Sequence, residues 1–214
     1  MKIADVARAV GAVTREVKQA EREGRPARVV VASRVYDTDV DDAWDALTSA
    51  ERIPRWFLPV EGELRLGGRY QFKGNAGGTI TACEPPRRLA VTWEFGGEVS
   101  WVEVRLEALG ADRTRLTLEH AAHVDARWDE FGPGAVGVGW DLGLLGLALY
   151  LEGGGAADPA SAGAEWAAGA EGKAYQRQCS DDWCRAAIAD GDDPAQARAA
   201  ADRTTAAYTG EAPA

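Results

Sequence analysis

One stretch of the sequence, Val40 to Phe57, constrains the fold of this chain more than any other. Its first half predicts an amphipathic helix, because four apolar residues recur on one helical face: Val40, Ala43, Trp44 and Leu47. Pro54 then begins a turn that leads to the neighbouring pair Trp56 and Phe57. A strand precedes this corner and a long series of strands follows it, so we expect a sheet that wraps around a helix. Such an arrangement encloses a cavity, and a cavity implies a small apolar guest that the sequence does not name.

The segments around this corner predict an antiparallel meander of six or seven strands, because runs of β-branched and apolar residues alternate with turn residues. The strands are expected at residues 29–36, 59–66, 69–73, 75–83, 88–95, 99–109 and 113–124. Alternation along each strand places one set of side chains on the concave, helix-facing side. This set contains Tyr70, Phe72, Ile80, Ala82, Leu89, Val91, Trp93, Phe95, Val102, Val104, Leu106, Leu116, Leu118 and His120. Trp101, Glu103 and Arg105 are expected on the outer face.

Helices are predicted on both sides of the meander. Residues 1–27 are interpreted as a leading helix that ends near Gly24, with an apolar stripe formed by Val6, Val10, Val13 and Val17. A longer helix is expected to begin near Pro133 and to end at Gly153-Gly154-Gly155. Its apolar stripe contains Trp140, Leu144, Leu147 and Leu151.

Residues 155–214 are predicted to form an alanine-rich helical extension. Its N-cap signals are Asp158, Ser180 and Asp193, and its stop signals are Gly191 and Gly210. Short helices cannot bury large rings alone, and this extension carries Trp166, Tyr175, Trp183 and Tyr208. We therefore expect the extension to pack on the domain that precedes it.

The composition indicates a globular protein of the cytoplasm. Apolar residues make up 46% of the 214, enough for a core, and we expect no apolar run long enough to cross a bilayer. The first residues lack the apolar region of a signal peptide. A net charge of −10 argues against a nucleic-acid partner, which requires a basic surface. The three cysteines are typical of reduced thiols, and the spacing of Cys179 and Cys184 supports neither a disulfide nor a metal site.

The order of strand, helical corner, meander and final helix is accompanied by six local motifs. They are Asp41–Thr48, Ile53–Phe57, Gly67–Tyr70, Leu89–Trp93, Leu116–His120 and Gly139-Trp140. With these motifs, residues 28–154 resemble a helix-grip protein of the START (SRPBCC) superfamily, in the branch of activator of heat-shock protein 90 ATPase homologue-like and polyketide-cyclase-like proteins. The resemblance implies an α+β fold in which an antiparallel sheet of six or seven strands grips a long C-terminal helix. Residues 1–27 and 155–214 lie outside the usual domain.

The predicted ligand-binding site is the cavity between the sheet and this last helix. Its walls are expected to be Trp56, Phe57, Tyr70, Phe72, Trp93, His120, Trp140 and Leu144, because the strand residues point inward and the helix is rich in glycine. Aromatic residues at such positions also occur as core, which is the interpretation we give to Trp44.

His120 is the candidate catalytic residue. It is either a buried neutral imidazole with a satisfied partner or a hydrogen-bond donor or general acid/base in the pocket. His123 lies three residues further on and is expected on the opposite face, so the two histidines do not form a metal pair. Asp141, beside Trp140, is interpreted as a solvated helix residue.

Three functions are compatible with these features. The leading hypothesis is binding of a small hydrophobic molecule, as a carrier, sensor or biosynthetic accessory protein. The second is a cyclase- or dehydratase-type enzyme that uses His120, and the third, implied by the family name, is a chaperone-ATPase-activating interaction protein. No nucleophile elbow, phosphate loop, dinucleotide fingerprint or zinc spacing occurs, so we expect no cofactor or metal. The expected partner is a hydrophobic ligand, without nucleic acid or membrane insertion, and the protein is expected to be a monomer or a homodimer.

Overall fold

A computed structural model describes residues 5–153 and 159–211, apart from the side chains of residues 159–162. Eight strands form one sheet in the order β1-β2-β8-β7-β6-β5-β4-β3. They are β1 Val13–Arg22, β2 Arg25–Tyr36, β3 Val60–Gly62, β4 Arg69–Phe72, β5 Gly77–Glu84, β6 Arg88–Phe95, β7 Glu98–Gly110 and β8 Arg113–His123. The helices are α1 Val6–Gly11, α2 Val40–Thr48, α3 Ala126–Phe131, α4 Gly134–Glu152, α5 Pro159–Ala168, α6 Ala170–Ala189 and α7 Pro194–Thr209. The predicted α+β class with an antiparallel sheet is confirmed.

The predicted leading helix over residues 1–27 is wrong, because only α1 is helical within the described part of that range. β1 and β2 form a hairpin through Glu23 and Gly24, whose φ angles of 52° and 73° are typical of a two-residue hairpin turn. Val13 and Val17 are both buried on β1. Their spacing of four residues fits one face of a helix and one face of a strand equally well. The sheet therefore has eight strands instead of six or seven.

The helical corner forms as predicted. Asp39 caps α2 by accepting a hydrogen bond from the amide of Asp42 at 2.8 Å, and Ala43 and Ala46 are buried. A short 3₁₀ helix with Pro54 near its start follows. The chain then turns away toward β3.

The strand registers agree with the predicted faces of the meander. Val91, Val102 and His120 lie opposite one another on β6, β7 and β8. Buried residues of the inward set include Tyr70, Ile80, Val102, Leu106, Leu116, Leu118 and His120. Phe95 differs, because it lies at the tip of the β6–β7 hairpin and is 58% exposed.

Helix α4 is the most apolar long helix. Its 19 residues are sufficient in length and composition to cross a membrane, which corrects the expectation that no segment reaches this length. Within its most apolar window, however, 56% is buried inside the protein. Burial of this extent is typical of a core helix in a globular protein.

The C-terminal helices begin and end at several of the predicted signals. Asp193 is the N-cap of α7, and Gly210 ends that helix in the left-handed conformation. Ser180 is not an N-cap: it is fully buried inside α6 and donates to the Ala201 carbonyl at 2.9 Å. The signals predicted at Gly154, Gly155 and Asp158 lie outside the described residues.

The chain forms two compact units. In the described residues, unit 1 contains 5–32, 123–145 and 161–211, whereas unit 2 contains 33–122, 146–153 and 159–160.

Candidate ligand-binding site

Six ring side chains of unit 2 form one continuous series of contacts, here called the aromatic row: Trp56, Phe57, Tyr70, Phe72, Trp93 and His120. The ring centroids are 5.5 Å apart for Trp56–Phe57, 5.1 Å for Phe57–Phe72, 5.7 Å for Phe72–Trp93 and 6.1 Å for Trp93–His120. Tyr70 joins the row through Phe72, at 5.3 Å. These are the separations of tilted and edge-to-face aromatic pairs.

Part of the row is accessible to solvent. Trp56, Phe57, Phe72 and Trp93 are only partly buried, whereas Tyr70 and His120 are buried. The Tyr70 hydroxyl donates to the Thr92 carbonyl at 2.8 Å, and burial raises the pKa of Tyr70. Tyr70 therefore anchors the row in its neutral form, and the partly buried rings present an apolar surface.

The helical corner fixes the Trp56 end of the row. The indole Nε1 of Trp56 donates to the Ala46 carbonyl in α2 at 2.9 Å. Nearby, Arg52 forms an ion pair with Asp42 at 2.8 Å, and its Nε donates to the Tyr150 hydroxyl at 2.9 Å. Burial alone would lower the pKa of Arg52, but its hydrogen-bonding partners raise it. The guanidinium thus stays charged and links the corner to the end of α4.

Gly146 allows close packing of α4 at the same corner. A Cβ atom at this position would lie 2.5 Å from the Trp56 carbonyl oxygen. Real Cβ atoms do not approach backbone so closely, so the absence of a side chain is what permits this contact. The glycine-rich character of α4 therefore has a direct role in placing Trp56.

His120 lies at the other end of the row and is neutral. Its Nε2 is 2.8 Å from Ser100 Oγ, and Ser100 donates its hydroxyl proton to the Trp93 carbonyl at 3.1 Å. Because a serine hydroxyl has a single proton, Ser100 accepts from Nε2–H of His120. Burial lowers the pKa of His120 from 6.5 to about 4. This arrangement matches the interpretation of a buried neutral imidazole with a satisfied partner.

The other two predicted wall residues lie on α4 within unit 1. Leu144 is buried and Trp140 is partly buried. The structure therefore joins Trp56, Phe57, Tyr70, Phe72, Trp93 and His120 in one row, while the participation of Trp140 and Leu144 stays a prediction.

The interpretation of Asp141 as a solvated residue is wrong. Asp141 is fully buried in unit 1 and forms an ion pair with Arg15 at 3.0 Å. Trp183 Nε1 donates to the same carboxylate at 2.9 Å, and the Tyr175 hydroxyl donates to the Asp141 backbone carbonyl at 3.1 Å. Arg15 also pairs with Asp182 at 2.8 Å. These contacts join β1, α4 and α6.

Sequence reasoning missed this cluster because it placed Arg15 on a helix. The available signal was the spacing of Val13, Arg15 and Val17, since residues two apart lie on the same face of a strand. Burial alone would lower the pKa of Arg15, but the charge of Asp141 and its hydrogen bond raise it. The pair is therefore a structural element of unit 1, since a buried charge requires a partner.

The described residues contain no group of three or more metal-ligating side chains from histidine, cysteine, aspartate and glutamate. Cys83, Cys179 and Cys184 are free thiols. His123 contacts the Arg22 carbonyl through Nε2 at 3.0 Å.

Residues 37–152 match the family model of activator of Hsp90 ATPase homolog 1-like proteins. The matched range covers more than half of the chain. The protein belongs to this family. The range that matches the Hsp90-activator-like family contains the whole aromatic row with Trp140 and Leu144, whereas Arg15 and Trp183 lie outside it.

Solved structures extend the similarity over most of the chain. The solution structure of CalU16 from Micromonospora echinospora is 34% identical, with a TM-score of 0.70 over 84% of this chain and 97% of that one. The crystal structure of CalU16 is 32% identical, with a TM-score of 0.66 over 83% and 99%. A conserved protein of unknown function, EF2215 from Enterococcus faecalis, has a TM-score of 0.59 over 85% and 95% but is 15% identical, which supports the fold alone. No curated protein matches the chain.

Proposed function

We propose that this protein binds a small hydrophobic molecule on the aromatic row, between the sheet and residues 146–152 of α4, as a carrier, sensor or biosynthetic accessory protein. The observation that carries the proposal is the unbroken series of ring contacts from Trp56 to His120, in which four rings remain partly open. Contiguous apolar surface of this kind marks binding sites in globular proteins.

The energetics favour an apolar ligand with flat faces. Each Å² of apolar surface removed from water contributes about 25 cal/mol, and aromatic pairs add about 0.5–1.5 kcal/mol beyond burial. A ligand that covers two of the open rings, such as Phe72 and Trp93, gains both contributions. Neutral His120 at the end of the row keeps that end free of charge.

Membership of the Hsp90-activator-like family supports the proposal at the level of the fold, because the matched range contains every residue of the row. We also propose that the protein is cytoplasmic, in keeping with its composition, and that it is a monomer or a homodimer.

The enzymatic alternative receives less support. A general acid or base works best with a pKa near the working pH, and His120 has a pKa of about 4. At neutral pH this imidazole is uncharged, so it lacks the acidic proton of an imidazolium, and its low pKa makes it a weak base. The cyclase or dehydratase hypothesis and the chaperone-ATPase-activating hypothesis stay predictions.

The experiment combines ligand capture with one substitution in the row. Native mass spectrometry of the full chain, purified from its own host, is expected to detect a co-purifying apolar molecule. Trp93→Ala should reduce its occupancy about tenfold or more, because it removes the central ring contact. The control is Trp128→Ala, which removes a partly buried tryptophan from unit 1. Equal occupancy in both variants and the wild type would contradict the proposal.

A further inference from the structure

Arg34 on β2 has buried donors without acceptors. Its Nε and Nη1 atoms are buried and have no hydrogen-bond partner among the residues that the structure describes. Leaving a buried donor unsatisfied costs roughly 1–3 kcal/mol, and more when the group is charged. Unpaired buried donors of this kind are explained if a bound ligand supplies the acceptor.

The other partly buried arginines each have an acceptor for at least one donor, although the Nε atoms of Arg28, Arg88 and Arg198 are buried without a hydrogen-bond partner as well. Five of them pair with a carboxylate, namely Arg15, Arg28, Arg52, Arg88 and Arg198. The sixth, Arg203, donates to a backbone carbonyl. The chain has 34 acidic residues against 24 basic ones, so acidic partners are abundant. A shortage of acidic residues therefore does not explain why Arg34 has no carboxylate partner among the described residues.

Strand alternation places Arg34 on the same face as the aromatic row. Its neighbour Ser33 contacts Thr117 through the two hydroxyl oxygens at 3.2 Å, and Thr117 lies opposite the exposed Arg105 on the outer face. Successive side chains on a strand point to opposite faces. Arg34 therefore lies on the inner face, where its guanidinium is 5.6 Å from the centroid of the Tyr36 ring.

The distance to the row is within reach of a small molecule. The Ser33 hydroxyl donates to the Leu116 carbonyl at 3.1 Å, so this part of β2 lies beside Leu116. His120 is four residues further along β8 on the same face, which corresponds to about 13 Å. Because the Arg34 guanidinium lies against the Tyr36 ring, the rings of the ligand itself must cover this span.

We propose that Arg34 binds the acidic group of the ligand whose apolar body lies on the aromatic row, so that the ligand class is an apolar acid. This inference rests on the proposed function. A guanidinium matches the planar, two-oxygen geometry of a carboxylate and binds sulfonate or phosphate oxygens by the same donors. Hydrogen bonds to a charged group of this kind contribute about tenfold or more in affinity.

A pair of fluorescent probes with the same rings tests the charge alone. Anilinonaphthalene sulfonate is anionic, and N-phenylnaphthylamine has the same aromatic body without the sulfonate. Titration of the full chain should give about tenfold tighter binding of the anionic probe, although the protein itself has a net charge of −10. Arg34→Gln should abolish this preference by weakening only the anionic probe. Arg34→Lys, which keeps the charge without the planar fork, should retain part of it.

Arg105→Gln is the matched control, because it removes one positive charge from the outer face of a nearby strand. It should change the preference by less than about twofold, since exposed charges are screened. A wild type without preference, or an Arg34→Gln variant that keeps it, would overturn the inference. Thermal unfolding distinguishes a structural role of Arg34 from a ligand-binding role. If Arg34 binds the ligand, the Arg34→Gln protein should be as heat-resistant as the wild type or more so.

Failure of the proposed function gives a different result. Trp93→Ala should weaken both probes equally, because both carry the same rings. Unchanged binding of the neutral probe to Trp93→Ala would contradict the aromatic row as the binding surface, whereas the preference lost in Arg34→Gln reports on Arg34 alone.

Discussion

Two buried polar side chains, His120 and Asp141, differ in the partners that accompany their burial. Burial disfavours the charged form of any side chain unless a partner compensates it. Asp141 has Arg15 and Trp183 as partners, whereas His120 has the neutral hydroxyl of Ser100. Burial raises the pKa of Asp141, and the charge and hydrogen bond of Arg15 and the hydrogen bond from Trp183 oppose that rise, whereas burial lowers the pKa of His120.

The lowered pKa of His120 predicts a loss of stability in mild acid. Unfolded histidine titrates near 6.5, whereas the folded state resists protonation down to about 4, so the unfolded state takes up the proton first as the pH falls. Stability is complete above the unfolded pKa and decreases through this window, by about 2 kcal/mol between about pH 7 and about pH 5. His120→Gln keeps a donor for Ser100 without titrating. Its unfolding free energy, measured by urea denaturation, should lose much less over that range.

The second histidine provides the control for that measurement. His123→Gln removes the other imidazole of the chain and is measured under the same conditions. A His120→Gln protein that still loses about 2 kcal/mol would show that other groups cause the acid sensitivity.

At the scale of elements, the glycines of α4 determine how closely its neighbours approach. A Cβ on Gly137 would lie 2.3 Å from the indole ring of Trp183, and both residues belong to unit 1. A ring that is fully buried has no free space into which it can move. Glycine at this position lowers the intrinsic helix propensity of α4 but allows close contact with α6.

Gly137→Ala is therefore expected to destabilise the protein by about 2 kcal/mol or more, because overpacking a dense core costs typically 1–3 kcal/mol. Gly163→Ala on α5 is the matched control, since a Cβ there meets nothing within 4 Å. That change should be neutral or stabilising by about 0.5–1 kcal/mol, through helix propensity. Differential scanning calorimetry measures both, and equal melting temperatures for the two variants would contradict the packing argument.

Some elements could be predicted from the sequence because only one periodicity fits them. From Val91 to Phe95 on β6, apolar and polar side chains alternate. This alternation predicted the inward face of the meander and most of the aromatic row. β1 could not be assigned in this way, since Val13 and Val17 satisfy both helical and strand spacing. The partner of Asp141 is separated from it by more than a hundred residues of sequence. A contact of that range depends on the tertiary fold and leaves no local pattern.

At the scale of the whole molecule, the C-terminal helices complete unit 1. Tyr175, Cys179 and Trp183 on α6 are fully buried. The Tyr208 hydroxyl on α7 donates to the Ala135 carbonyl of α4 at 3.0 Å. Within unit 1 the extension therefore packs along α4 and β1, and it supplies partners for both members of the Arg15–Asp141 pair.

Deletion of residues 158–214 is expected to give a poorly soluble or markedly less stable protein. It uncovers apolar surface of α4 and leaves Asp141 without Trp183 and Arg15 without Asp182. Expression tests, size-exclusion chromatography and thermal unfolding measure the effect. A truncated chain that stays monomeric, soluble and equally heat-resistant would show that the extension is an independent appendage.

The split of unit 1 into three segments has a consequence for synthesis on the ribosome. The strands that carry the aromatic row emerge as one uninterrupted stretch, residues 33–122, and their pairing is sequential along the chain. Arg15 emerges before all of them, yet its counter-charges Asp141 and Asp182 leave the exit tunnel much later. The nascent N-terminal hairpin must therefore keep its arginine hydrated while the rest is translated. Its burial is deferred until α6 emerges, so unit 1 acquires its native charge pairing only after the whole meander has been translated.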